Sequence, residues 1–258
     1  MTKAFFVGAL LSIFGVLARA GETELVAVTA FVTQLATGSG LTLVPITPGE
    51  FTMGDSSDGP PHRVTISRPF FLGATEVTQA QWMAVMGSNP SNFKGDTLPV
   101  ENVSWDDVMA FCEKLTERER AAGRLPAGWE FTLPTEAQWE YACRAGTTGD
   151  YAGDLDAMGW YDKNSGGTTH AVGTKQANAW GLSDMHGNVW EWCVDWYDSY
   201  PGGSVTDPLG APSGSYRVRR GGSWRRDAGF CRSAFRGSGS PGLRNFLLGF
   251  RPALAPSR

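Results

Sequence analysis

Histidine is scarce in this chain: only three occur among 258 residues, at positions 62, 170 and 186. No two of them are spaced as a helical pair, and no C-x-x-C occurs. A dedicated zinc or non-haem iron cluster therefore has no ligand set to draw on. Charge of one sign is also lacking. Lys and Arg total 22 against 26 Asp and Glu, a formal charge of −4. That leaves no electrostatic footprint for nucleic acid or for an anionic membrane surface. Past residue 40 there is no linker-like break and no internal repeat. What is present is material for a core, 41% hydrophobic residues and ten Trp, enough for one large domain.

The N-terminus reads as a secretory signal over residues 1–20. Lys3 supplies the positive start, Ala4 to Leu17 the short apolar run, and Ala18-Arg19-Ala20 an A-x-A cleavage site. The run is shorter than the roughly 20 apolar residues of a spanning helix. The expectation is cleavage before Gly21, export to the periplasm or the extracellular space, and no transmembrane segment afterwards. No Cys stands at the cleavage point to carry a lipid. Residues 21–40 read as a lead-in and 41–256 as the domain. Four cysteines, at 112, 143, 193 and 231, in an exported chain point to two disulfides.

Along the domain, Leu41 to Ile46 alternates, meets the turn pair Pro48-Gly49 and continues as Phe51-Thr52-Met53-Gly54, which predicts a hairpin. The segment DSSDGPPH after it reads as a loop. Three helix starts share one signature, a hydroxyl residue followed three positions later by a side chain able to return the hydrogen bond: Thr78 with Gln81, Ser104 with Asp107, Thr135 with Gln138. Behind them Trp82, Val85 and Met86, and Val108, Phe111, Cys112 and Leu115, recur at helical spacing as core. Beyond residue 146 Gly, Trp, Asn and Asp replace any steady period. Irregular backbone of that length needs side-chain hydrogen bonds, disulfides or ions to satisfy it. The class is α+β.

Seven segments in order carry a resemblance: GEFTMG at 49–54, ATEVTQAQW at 74–82, PVENVSWDDVMAFC at 99–112, LPTEAQWEYACRAG at 133–146, GLSDMHGNVWEW at 181–192, RGGSW at 220–224 and LGFR at 248–251. Together they resemble the formylglycine-generating-enzyme (sulfatase-modifying factor) family over about residues 41–254. The resemblance implies that family's fold, a C-type-lectin-like variant with little regular secondary structure. It also implies a structural calcium site at Asp184 and Glu191 through side chains and at Gly187 and Val189 through carbonyls, a donor set that suits a hard cation. The segment matching the family's other calcium site, around 164–174, is much altered and is not carried over.

The family's enzymes oxidise a substrate cysteine with a copper(I)-binding cysteine pair whose first member lies three residues after the serine of GGS(W/Y). Here Arg226 stands three residues after Ser223. Aligned from the left, Cys231 falls on the second catalytic position. Aligned from the right, it falls near a cysteine that the family joins to the one in EYxCR, which is Cys143 here. The second alignment implies disulfides Cys143–Cys231 and, for the remaining two, Cys112–Cys193. On either, copper and formylglycine synthesis are not expected, and Cys231 is the sole candidate catalytic residue. An asparagine that shapes the family's cleft is replaced by Leu247.

The tract from Arg225 to Leu248 contains no Lys, Glu, Gln, Met or Trp, and every residue in it is encodable by a codon ending in a pyrimidine. That bias resembles the variable proteins of diversity-generating retroelements, whose related domains use such a tract as a binding surface. A polar loop of accidental composition is the plain alternative. Ser223, Trp224, Arg225, Arg226, Phe230, Asn245, Phe246 and Leu247 are the candidate ligand-binding residues, for a protein or other extracellular ligand. Three functions remain open: such a binding domain, a maturation enzyme oxidising residues of exported proteins, and a structural envelope protein.

Overall fold

The computed structural model describes residues 40–257; the expected signal peptide, 1–20, and all but the last residue of the lead-in, 21–40, lie outside them. Three small sheets and a few helices make up the fold, as the irregular sequence pattern implies.

Strand β1 (Leu43–Ile46) pairs antiparallel with β4 (Phe70–Gly73), and β4 pairs with the last strand, β11 (Ala253–Pro256). Strand β5 (Trp129–Thr132) completes this sheet beside β11. The two ends of the domain are thus held one strand apart. A second sheet joins β2 (Gly49–Asp55), β3 (Gly59–Ile66) and β7 (Val205–Thr206). The third runs β10 (Leu248–Gly249), β6 (Trp190–Trp196), β8 (Arg217–Arg220) and β9 (Gly237–Gly239), and it carries the two most distinctive motifs, GNVWEW and RGGSW.

The expected hairpin across Pro48-Gly49 is not formed. β1 instead buries Leu43 and Ile46 against the four fully buried residues of β4, and β2 turns back onto β3. The turn lies in the segment read as a loop: the Asp55 carboxylate accepts the amides of Ser57 and Asp58 at 2.7 and 2.8 Å, a local Asx closure that starts a strand at Gly59.

All three capping boxes are formed. Thr78 starts α1 (Gln79–Met86), Ser104 starts α2 (Trp105–Ala121) and Thr135 starts α3 (Glu136–Arg144), each with reciprocal bonds of 2.8–3.2 Å. Trp82 of α1 stacks on Phe111 of α2 with ring centres 5.3 Å apart, and Phe250 closes edge-on against both.

Helix α3 is tied to the third sheet by charge rather than by apolar contact alone. The Glu140 carboxylate accepts Arg144 at 2.9 and 2.8 Å, the Gly54 amide at 2.9 Å, and Arg220. Glu136 takes Arg236 in a two-pronged bond, both contacts 2.7 Å. Buried ions of this kind hold only when each has a partner, so the network fixes how helix and sheet meet.

Candidate functional site

The RGGSW strand leads directly into the candidate face. After β8 the chain passes through Gly221 and Gly222, both at positive φ (95° and 75°); a Cβ on Gly222 would lie 2.5 Å from the Cys231 sulfur. Only glycine admits that approach. Asp227 then caps a short 3-10 turn, Ala228–Cys231, by accepting the Gly229 amide. Ser223 and Trp224 are buried, Arg225 is exposed, and Arg226, Phe230, Asn245 and Phe246 are half-buried.

Leu247 differs from its expected role. It is 8% exposed and packs in the main apolar cluster, because its carbonyl accepts the Trp190 amide at 2.8 Å and draws the chain into the sheet. Asn245 spends its side-chain oxygen on the Leu247 amide, 2.8 Å away, so it shapes the turn.

The others come together around indole and phenyl rings. Trp224 meets Phe246 at 5.9 Å and Phe93 at 5.5 Å; Phe230 meets Phe235 at 4.7 Å, and Phe235 meets Trp190 at 5.8 Å. Ser223 Oγ, Trp224 Nε1, Trp190 Nε1, Arg226 Nε and Arg219 Nε are all buried without a hydrogen-bond partner. Five unmet polar atoms in one region are unusual for a protein interior. Phe93, Trp190, Arg219 and Phe235 were not among the sequence candidates. The well-formed cavities lie elsewhere, one of about 510 Å³ under the 195–212 loop and one of about 690 Å³ beside Arg144.

Cysteine chemistry takes a different form from the expectation. All four cysteines are free and buried, so neither expected disulfide is made. Cys112 and Cys193 pack in different apolar clusters. Cys143 and Cys231 do converge on His186: the Cys143 sulfur sits 3.8 Å from His186 Nε2, and His186 Nδ1 donates to the Cys231 carbonyl at 2.9 Å. Burial pushes both thiols up to about 12, so neither is a ready thiolate at neutral pH.

The GLSDMHGNVWEW loop turns through left-handed positions at Asp184 (φ 62°) and Asn188 (φ 59°), with Gly187 at φ 139° against the Trp160 carbonyl. Asp184 Oδ2 accepts the Gly173 amide at 2.7 Å, while its buried Oδ1 has no partner. Glu191 is held by Arg251, with contacts of 2.7 Å at each oxygen, and by the Trp139 indole. Val189 donates its amide to Glu76, a buried carboxylate that sequence reasoning missed. Burial, then the charges of Asp184 and Glu191, hold the Glu76 carboxyl well above the usual range; burial raises Asp184 to about 6. Three buried carboxylates thus face one arginine. An orphaned carboxylate oxygen beside two further buried carboxylates is a donor set that fits a hard cation. Among the described residues no group of three His, Cys, Asp or Glu side chains is arranged to hold a metal, so carbonyls would have to complete the set.

Comparison with known proteins decides the family. The Sulfatase-modifying factor enzyme 1-like domain matches residues 29–256. The chain belongs to this family. It is 33% identical to the chaperone protein LppX of Paenibacillus barcinonensis, over 70% of this chain and 78% of that one. It is 31% identical to the formylglycine-generating enzyme of Streptomyces coelicolor, over 80% and 86%. The mouse formylglycine-generating enzyme is 32% identical over 74% of this chain, which spans about half (53%) of that enzyme's length. Among solved structures, Treponema denticola variable protein 1 superposes with a TM-score of 0.78 at 36% identity, covering 84% of this chain and 95% of that one. PvdO from Pseudomonas aeruginosa superposes at 0.72 and 27%, covering 82% and 93%. The sulfatase-modifying-factor fold, a lectin-like mixture of short strands and few helices, is therefore established for this chain.

Proposed function

We propose that this family member is an exported binding domain that takes a protein or other extracellular ligand on its 223–248 face, and that it does not make formylglycine. One observation carries the reading. Arg226 occupies the position where the resemblance places the first copper-binding cysteine, and the remaining thiol of the tract, Cys231, is fully buried behind Gly222 with its pKa raised to about 12. A single protonated, inaccessible thiol does not make a two-thiolate copper site. Around it, aromatic rings and unmet donors are what recognition uses.

The biased composition of 225–248 and the likeness to a Treponema protein named as a variable protein support the finer reading, a tract diversified by a retroelement. Export rests on residues 1–20. Among the described residues no helix is long and apolar enough to cross a membrane. Calcium would be held by Asp184 and the Gly187 and Val189 carbonyls with Glu191, supplying charge neutralisation to a loop that faces Arg251 alone. The alternative, a maturation enzyme oxidising residues of exported proteins, is favoured by the formylglycine-generating relatives.

Three measurements test the proposal. Incubation with copper(I), oxygen and a cysteine-containing peptide, followed by mass spectrometry, should show the peptide unchanged; turnover would establish the oxidase reading instead. A fluorescently labelled protein on a peptide and glycan array should give signals that the Phe230→Ala/Phe246→Ala variant loses; identical patterns from both proteins would remove this face from the binding reading. Chelation should lower the melting midpoint, and an unchanged midpoint would remove calcium.

A further inference from the structure

Two arginines on this face sit at the ends of one run of touching aromatic rings, and neither forms an ion pair among the described residues. Arg219 and Val218 alternate along β8, so Arg219 points away from the Glu140 network that takes its neighbour Arg220. Its guanidinium lies over the Trp190 ring, 5.0 Å from the centre, in a sheet where Arg219 stands opposite Trp192. Gly237 of β9 permits this packing: a Cβ there would lie 3.1 Å from Arg219 Nε and 3.3 Å from the Trp190 ring. Arg226 lies 5.2 Å from the centre of Phe230. Phe230 touches Phe235, and Phe235 touches Trp190. The contacts therefore run in a chain from Arg219 through Trp190, Phe235 and Phe230 to Arg226, and burial, then the charge of Arg226, hold the Arg219 guanidinium below its usual pKa.

Every polar side-chain atom of these five residues is a donor, and three of them are buried. Arg219 Nε, Arg226 Nε and Trp190 Nε1 are unpartnered, and Trp190 is 1% exposed. Among the described residues no carboxylate forms an ion pair with Arg219 or Arg226, whereas Arg220, Arg232, Arg236, Arg244 and Arg251 each have one. Bringing two cations together in a half-buried, ring-lined site is unfavourable in the free protein. An acceptor with two oxygens in a plane reverses the sign, because the two Nη atoms of a guanidinium form a fork that matches it. The half-buried phenyl rings of Phe230 and Phe235 beside it would pack against an apolar group of the ligand.

Resting on the binding reading above, we infer that the Arg219–Arg226 run is a carboxylate-recognition site, and that the ligand is a peptide presenting a carboxylate next to an aromatic or other apolar side chain.

The test uses three small probes and the full mature chain, followed by NMR of the indole N–H signals and by calorimetry. N-acetyl-L-phenylalanine carries the carboxylate and ring; N-acetyl-L-phenylalaninamide carries the ring alone; phenyl phosphate replaces the carboxylate by phosphate. The acid should bind at least about 10-fold more tightly than the amide, with an affinity that falls as salt rises. Arg226→Gln and Arg219→Gln should each abolish that preference. Arg226→Gln should also keep or raise the urea midpoint, since it relieves like-charge repulsion on Arg219, whereas a structural arginine would lower it. Equal binding of acid and amide would overturn the carboxylate site while leaving an apolar binding face intact. Tighter binding of phenyl phosphate would overturn it in favour of a phosphate. No binding of any probe, with the array signal still dependent on Phe230 and Phe246, would overturn this inference alone.

Discussion

Glu101 offers a direct test of how burial sets charge in this fold. Its side chain is fully buried; Oε1 accepts the Phe93 amide at 2.8 Å and Oε2 has no partner. Burial pushes its pKa from 4.5 to about 7, against the pull of the Phe93 and Asn92 amides and the Lys94 charge. Between those two values the folded state holds a proton that the unfolded chain has released, so stability falls as pH rises through that window. At about 1.4 kcal/mol per pH unit the ceiling is roughly 3 kcal/mol, and relaxation of the pocket brings the expected loss nearer 2 kcal/mol. Glu101→Gln removes the titration. Its stranded amide donors cost something, but by the same amount at every pH. Urea denaturation at pH 5, 6, 7 and 8 should show the variant gaining about 2 kcal/mol on the wild type from the lowest to the highest pH. Comparing the two proteins is necessary because other groups titrate nearby: Asp184 is raised to about 6 with the same sign, and burial lowers His186 to about 4 with the opposite sign. Parallel profiles would refute the reasoning.

Glu140→Ala strands Arg220, which is 0% exposed and keeps only one acid, Glu136 at 3.4 Å, beside its bond to the Phe235 carbonyl; the expected loss is about 3–5 kcal/mol, read as a lower urea midpoint. Thr135→Ala deletes one half of a formed capping box and should cost about 1 kcal/mol, seen as a small drop in melting temperature without loss of fold.

The parts of the fold legible in the sequence are those whose cause lies within a few residues. A hydroxyl and a Gln or Asp three positions apart satisfy each other's backbone amides whatever the rest of the chain does, so Thr78, Ser104 and Thr135 could be read as helix starts and are. The hairpin reading failed because β1 finds its partner at Phe70–Gly73 rather than across Pro48-Gly49, and alternation does not name a partner. The ion pairs were invisible for the same reason: Arg220 and Glu140 are 80 residues apart, Arg251 and Glu191 60. Glu76 gave no signal, being one acid among many, although it is the carboxylate that makes the 184–191 loop surplus in negative charge. Leu247 looked like surface because its tract is rich in Gly, Ser and Arg; a parallel strand pairing with Trp190 took it inside.

That last case separates two jobs within 225–248. Arg236 grips Glu136, Leu248 pairs with Trp190, and Gly239 lies where a Cβ would come 2.8 Å from Trp192, so these positions hold the sheet. The side chains of Arg225, Arg226, Phe230 and Phe246 make no ion pair: Arg225 is exposed, and the other three are half-buried, meet aromatic rings and lie at the edge of the main apolar cluster. If the tract is a binding surface, its freedom to change is confined to the second set. A substitution scan selected for folded, protease-resistant protein should therefore accept most residues at 225, 226, 230 and 246 and reject most at 236, 239 and 248. The expected loss at Arg236 is several kcal/mol, because Glu136 is left buried without one of its guanidiniums. Uniform tolerance across the tract would mean that the fold does not depend on it. Uniform intolerance would mean that the exposed arginine and rings are structural after all, and the binding reading of this face would fall with that result.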